Sequence, residues 1–275
     1  MDDSSTDETN VFCDTGWFPL DCTRVPTAED LEVLQKNISS GDLDPPAHWD
    51  TIKDATVARK VPLKAGEPEY DAVVKAFQST LKPPGFKLKA KVLKVDRIQN
   101  FAMWQSYIVK RQTICYRETG HTVADGDDDI QRKALQRFER SWLWHGSNAE
   151  VVDKILQQGF NRSFCGKNAT MYGKGVYFAR DASYSAYPIY AVPDKKGHQY
   201  MMACRVVVGE YCPGTKDAVT PDIRDAKSHS LYDSTVGLLR NDTMSNPSIF
   251  VTYHGTCERK QVDVHLRFVC SIVCR

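Results

Sequence analysis

The sequence predicts an α+β fold built on a mixed or antiparallel sheet. Helical spacing dominates up to about residue 160, strand patterns with few helices between them dominate the rest, and that segregation is the α+β signature. No internal repeat and no glycine fingerprint of a dinucleotide-binding βαβ unit interrupts this picture. At 275 residues, 41% hydrophobic and 26% charged, the chain is long enough for one large domain or two small ones. Its net charge of +1 provides no clustered basic surface, so neither nucleic acid nor an anionic membrane is a predicted partner. The acidic, polar start MDDSSTDETN does not have the form of a secretory signal, and no apolar run approaches membrane-spanning length. Cytoplasm or nucleus is therefore the expected location.

Residues 1–44 read as a flexible extension, with a short helix from the Thr27-Ala28-Glu29-Asp30 capping pattern to about Ser39. Leu43 to Asp50, with Pro45, Pro46 and Trp49, is an extended lead-in to the main domain at 45–253. Glu67-Pro68-Glu69 places a proline and carboxylates where a helix start favours them. Tyr70, Val73, Val74, Phe77 and Leu81 then share one helical face until Pro83-Pro84-Gly85. FKLKAKVLKVDRI, 86–98, alternates as a strand with one wet face, and Phe101 to Tyr116 returns to helical spacing. The acidic run Asp127-Asp128-Asp129 lacks the Gly-and-Glu pattern of a calcium loop and reads as a solvated loop, followed by a short helix from Ile130 to Arg140.

Ser141 to Trp144 reads as a buried strand turning at His145-Gly146-Ser147 into a helix started by Asn148 and Glu150 and ended by Gly159. This places His145 and the Gly146 backbone at the mouth of a cleft, where a glycine lets a ligand approach the main chain. Tyr200 to Tyr211 and Ser248 to Tyr253 are further strands, joined by a long polar connection from Pro213 to Asn246. The span Tyr172 to Tyr190 combines a Gly-x-Gly turn, a short strand and several tyrosines. Two tyrosines and a serine in such a span suit a flat ring and its substituent, although taken alone the pattern reads rather as a core strand with a glycine hairpin.

The nine cysteines are scattered, as free thiols in a reducing compartment would be. Cys257, His265, Cys270 and Cys274 form an array that tetrahedral zinc would accept, but its spacing fits no common finger.

WLWHGSN, GFNRSFCGKNATMYGKGVYFARDASYS and NPSIFV resemble, in that order, the catalytic domain of the poly(ADP-ribose)-polymerase-like ADP-ribosyltransferases of the diphtheria-toxin type. PPAHW and RIQNFAMWQSY are similar to the start of that domain in the mono-ADP-ribosylating members that often carry macrodomains. The resemblance covers residues 45 to 253. It implies a split mixed sheet with flanking helices, no separate helical regulatory domain, and NAD as co-substrate in the cleft. In that likeness His145 binds the adenosine ribose. Gly146 and Ser185 hold the nicotinamide carboxamide, Ser147 lies beside them in the donor site, and Tyr177 and Tyr190 flank the nicotinamide ring. Asn161 to Met171, with Arg162 and Phe164, would cover the donor.

The family's third catalytic position, a glutamate in the polymerases, falls on Ile249. An isoleucine accepts no proton and no hydrogen bond, so the resemblance implies transfer of single ADP-ribose units to protein acceptors, the chain itself included. A rival reading is a module that binds NAD or ADP-ribose without turnover, and another is an interaction protein with a zinc-binding tail. Residues 254–275 depart from the family's ending. Val262 to Val269 alternates as a substitute last strand, with Val262, Val264, Leu266 and Phe268 on one face.

Overall fold

The structure is a computed structural model. It describes residues 58–81, 90–120, 136–160 and 170–253, the single residues Trp49 and Lys133, and the backbone of 266–274. The expected N-terminal helix, the 82–89 segment and the aspartate run lie outside the described residues, as do 161–169 and 254–265.

Eleven strands and four helices are described. In chain order they are β1 (Arg59–Pro62), α1 (Pro68–Thr80), β2 (Val92–Gln99), α2 (Phe101–Thr119), β3 (Glu139–Ser147), α3 (Ala149–Gln158) and β4 (Val176–Ala179). There follow α4 (Ala182–Ser185), β5 (Gln199–Val207), β6 (Tyr211–Pro213), β7 (Ile223–Asp225), β8 (Ser230–Leu231), β9 (Ser234–Gly237), β10 (Ile249–Thr252) and β11 (Leu266–Cys274). Nine strands form one sheet in the order β1-β2-β11-β5-β3-β4-β10-β9-β6, antiparallel except for the parallel β6–β9 pair, and β7–β8 is a separate hairpin. The α+β class and the mixed sheet therefore match the sequence prediction.

The join between β3 and β4 positions everything that follows. They pair at Trp144 and Ala179 alone, whereas β3 pairs with β5 at seven positions. The sheet is thus two blocks hinged at one register point, with a crack on either side of it. On one face, α1 and α4 cover Trp144, Met201 and Ala203 through Val73, Phe77 and Ala182. On the other, α3 covers Leu143, Phe178 and Phe250 through Val152, Ile155 and Leu156. The period-2 alternation of strand side chains sends Trp144 and Leu143 into these different layers.

The helix starts form as the sequence predicts. Pro68 opens α1 after Glu67, with Glu69 and Asp71 in the first turn, and the Asn148 side chain accepts the Val151 amide at 2.8 Å to cap α3. Several boundaries differ. β3 runs on through Ser147, so His145 and Gly146 lie in the strand rather than in a turn after it, because β5 continues to pair with them from Met202 to Tyr200. The second helix extends past Tyr116 to Thr119, where Gly120 (φ 72°, ψ 6°) supplies the left-handed cap. The connection from Pro213 to Asn246 is not one long loop. It contains β7, β8 and the fully buried β9, whose four short residues carry no alternation of their own and are fixed by β10 and β6 on either side.

β11 spans Leu266–Cys274 and overlaps the expected last strand over Leu266 to Val269, while Val262 to His265 lie outside the described residues. It lies inside the sheet, with Cys270 opposite Arg97 on one side and Ala203 on the other.

Candidate active site

Past the Trp144–Ala179 pair, β3 presents His145, Gly146 and Ser147 along an edge that β4 does not pair. His145 Nδ1 lies 2.8 Å from the Tyr177 carbonyl. A carbonyl only accepts, so Nδ1 carries the proton and Nε2 keeps a lone pair. Desolvation lowers the imidazole pKa below its ordinary value, with the Tyr177 hydrogen bond opposing. The ring is therefore neutral at neutral pH. Phe160 and Phe178 meet it at 5.0 and 5.8 Å between ring centres and hold its plane.

Gly146 has no room for a side chain. A Cβ there would lie 2.2 Å from the Ser185 carbonyl oxygen and 3.0 Å from the Ala191 amide, so the segment after β4 is pressed directly on the β3 backbone. Ser185 is buried, and its Oγ donates to the Trp144 carbonyl at 2.9 Å, leaving its lone pairs as acceptors. α4, which carries Ser185, is anchored from outside when the Ala182 amide donates to Thr80 Oγ1 at 3.1 Å. Ser147 ends β3 opposite Tyr200.

The Gly-x-Gly turn explains Tyr177. Its hydroxyl donates to the Gly173 carbonyl and accepts the Tyr172 amide, each at 2.9 Å, so the side chain is tied to the turn that precedes its own strand. Gly173 sits at φ +116°, and a Cβ there would meet the Tyr253 hydroxyl, which leaves glycine as the residue that fits. Tyr190 stacks on Tyr184, with ring centres 5.1 Å apart, planes at 20° and hydroxyls 2.9 Å apart.

Tyr184 is the site residue that the sequence reading missed. It packs with Tyr177 and Ile249 in one cluster and hydrogen-bonds Tyr190, so it joins the two tyrosines singled out from the sequence. Burial, the bond to Tyr190 and the neighbouring phenols raise its pKa. The density of tyrosines from 172 to 190 was the available signal.

Ile249 is 1% exposed and packs with Ala179, Val251 and Tyr253 against the rings of Tyr172, Tyr177 and Tyr184. Register explains the grouping: Ile249 opposes Ala179, and Val251 opposes Tyr177, on one face of the β4–β10 pair. The structure thus brings together His145, Gly146, Tyr177, Ser185 and Ile249 around the split, with Tyr190 attached through Tyr184. Arg162 and Phe164 of the expected donor cover lie outside the described residues, as do Cys257 and His265 of the zinc array. Among the described residues no group of three or more potential metal ligands occurs. No described helix is long and apolar enough to cross a membrane.

The split sheet thus places a neutral histidine on one lip of a cleft and a tyrosine-lined strand on the other. Residues 67–259 match the poly(ADP-ribose) polymerase catalytic domain, a match that ends before β11, and the chain belongs to that family. It is 32% identical over 220 residues to the human protein mono-ADP-ribosyltransferase PARP14, covering 80% of this chain and 11% of that protein. It is 35% identical over 210 residues to human PARP12 and 30% over 226 residues to mouse PARP10, both also protein mono-ADP-ribosyltransferases. These alignments cover 76% and 82% of this chain, and 26% and 20% of the relatives. The chain thus spans about a quarter or less of the length of these relatives.

Proposed function

We propose that this domain transfers a single ADP-ribose from NAD to protein side chains, its own among them, with release of nicotinamide. The observation that carries the reading is Ile249, an alkyl side chain packed among tyrosines at the position where the family's polymerases hold a glutamate. NAD fits the residues present. Beyond Trp144 the β3 edge is not paired by β4, the absent side chain of Gly146 lets Ser185 close on the strand, and His145 Nε2 is an acceptor held in one tautomer.

NAD supplies the ADP-ribosyl group and, in nicotinamide, a neutral leaving group. In this reading His145 Nε2 accepts a hydroxyl of the adenosine ribose beside Ser147. The Gly146 backbone and the Ser185 lone pairs hold the carboxamide, while Tyr177 and Tyr190 flank the nicotinamide ring. Tyr177 is rigid because its hydroxyl is spent on the Gly173 turn, and Tyr190 because it is stacked on Tyr184. Preorganised placement of the donor is therefore the chief source of rate. Ile249 offers no acceptor to a second ribose hydroxyl, which limits the product to one unit.

Intact-mass measurement after incubation with NAD tests this. Steps of one ADP-ribose are expected, and His145→Ala should lower labelling by about a hundredfold through a misplaced donor. Unlabelled protein, with NAD still raising its melting temperature, would replace transfer by binding alone.

A further inference from the structure

On the far side of the Trp144–Ala179 pair, where β3 begins and β4 has ended, the crack in the sheet opens again. A cavity of about 260 Å³ lies there, between the C-terminal end of α1 and the segment that leads into β10. We propose that this rear cavity binds a small organic acid, a compact aromatic or branched apolar body with one carboxylate that pairs with Arg140. Nothing in the donor-site reading uses it, and its residues are distinct from those on the His145 side.

The charge argument is specific. Arg140 donates to the carbonyls of Arg137 at 2.8 Å, Gln136 and Glu139 at 3.3 Å, and to the Tyr211 hydroxyl at 3.4 Å, all neutral acceptors. Among the described residues it forms no ion pair. Arg180 on the opposite wall is by contrast answered by Asp181 at 2.9 Å and Asp242 at 3.6 Å. The cavity therefore carries one uncompensated guanidinium, held in place over the rings of Phe250 at 5.7 Å and Tyr211 at 6.0 Å.

The remaining lining is largely apolar, with Leu143, Phe250 and Pro247 beside the α1 residue Ala76. A volume just under the usual range for small-molecule pockets suits a body of roughly a dozen non-hydrogen atoms. The backbone marks the same place. β3 loses register with β5 between Arg140 and Leu143, and Trp142 within that bulge has φ 61°, a left-handed conformation that bulky residues rarely adopt and that concentrates at functional sites. The bulge takes Ser141 and Trp142 off the ladder and turns them to the cavity wall.

The probe is 2-naphthoate, titrated by calorimetry into the whole chain, with neutral 2-naphthamide as comparison. One equivalent should bind, and the amide should bind about tenfold more weakly because it forms no charge-assisted pair. Ala76→Phe, which fills the cavity from α1, should abolish binding while the melting temperature stays close to that of the parent. Tyr190→Ala, on the donor side, should leave it unchanged. Arg140→Gln should reduce the naphthoate affinity to that of the amide; if that variant does not fold, the naphthoate and amide pair on the parent chain decides the charge question. Absence of binding at millimolar naphthoate, equal affinity for acid and amide, binding that survives Ala76→Phe, or binding lost in Tyr190→Ala would each overturn the proposal.

Discussion

At one end of the β9–β10 pair, beside Ser234, Asp233 is 5% exposed and is held by Lys110 at 2.9 Å, Arg117 at 2.7 Å and the Glu210 amide at 3.0 Å. At the other end, opposite Gly237, Ile249 is 1% exposed and packs against tyrosine rings and alkyl groups. The two positions are equally dry. They differ in what surrounds them: burial alone would raise the Asp233 carboxyl, but the Lys110 and Arg117 cations hold it far below the usual carboxylate range. Beside Ile249, Arg180 donates to Ser248 Oγ at 3.1 Å and is already answered by Asp181 and Asp242. A buried carboxylate persists in this fold where cations answer it, and the cleft has instead been built around an alkyl group.

The largest expected effect comes from breaking the first arrangement. Asp233→Ala leaves Lys110 without its partner in a buried position and Arg117 with Glu118 alone, and chemical denaturation should show a loss of about 3 to 5 kcal/mol. Wild-type stability in that variant would mean that the cluster is solvated and that the contrast with Ile249 has no force. The reverse experiment is Ile249→Glu. A carboxyl placed among Tyr172, Tyr177 and Tyr184, with the neighbouring Arg180 already committed to Asp181 and Asp242, should raise its own pKa, cost about 2 to 3 kcal/mol and leave the product at single units. Chain synthesis by that variant would show that the cleft needed only the missing oxygen atoms.

A smaller effect concerns His145. Its pKa lies below the ordinary value, so the imidazole stays neutral as pH falls to about 6.5, the unfolded value. NAD affinity should accordingly be level between about pH 8 and 6.5 and should decline only at more acid pH, when Nε2 gains a proton and ceases to accept. The unfolded chain takes that proton first, so the same group withdraws stability as pH falls below about 6.5. A binding curve that strengthens on acidification would reverse the tautomer assignment.

Much of this was legible in the sequence because local chemistry dictated it. Pro68 with Glu67, the Asn148 cap and the buried strands at 141–144 and 248–253 each announce themselves through backbone preferences or apolar runs. The residues gathered around the split were singled out through ordered motifs, since His145, Gly146, Tyr177, Ser185 and Ile249 come from three separate stretches that only the sheet unites. What could not be read were features that depend on distant partners. β9 is a strand because β10 and β6 flank it, β11 lies inside the sheet because β2 and β5 pair with it on either side, and Tyr184 matters because Tyr190 and Ile249 fold against it. The two-sided crack is of the same kind, since one pairing between Trp144 and Ala179 creates it and no sequence pattern encodes that number.

Transfer that stops at one unit leaves a direct signature in the linkage of the automodified protein. Cleavage of the pyrophosphate bonds by a phosphodiesterase releases AMP from a single attached ADP-ribose, whereas every internal unit of a chain yields AMP still bearing a phosphoribosyl group. Protein labelled to completion with NAD should release AMP alone. Phosphoribosyl-AMP in the digest would contradict the role given to Ile249 and with it the reading of the cleft.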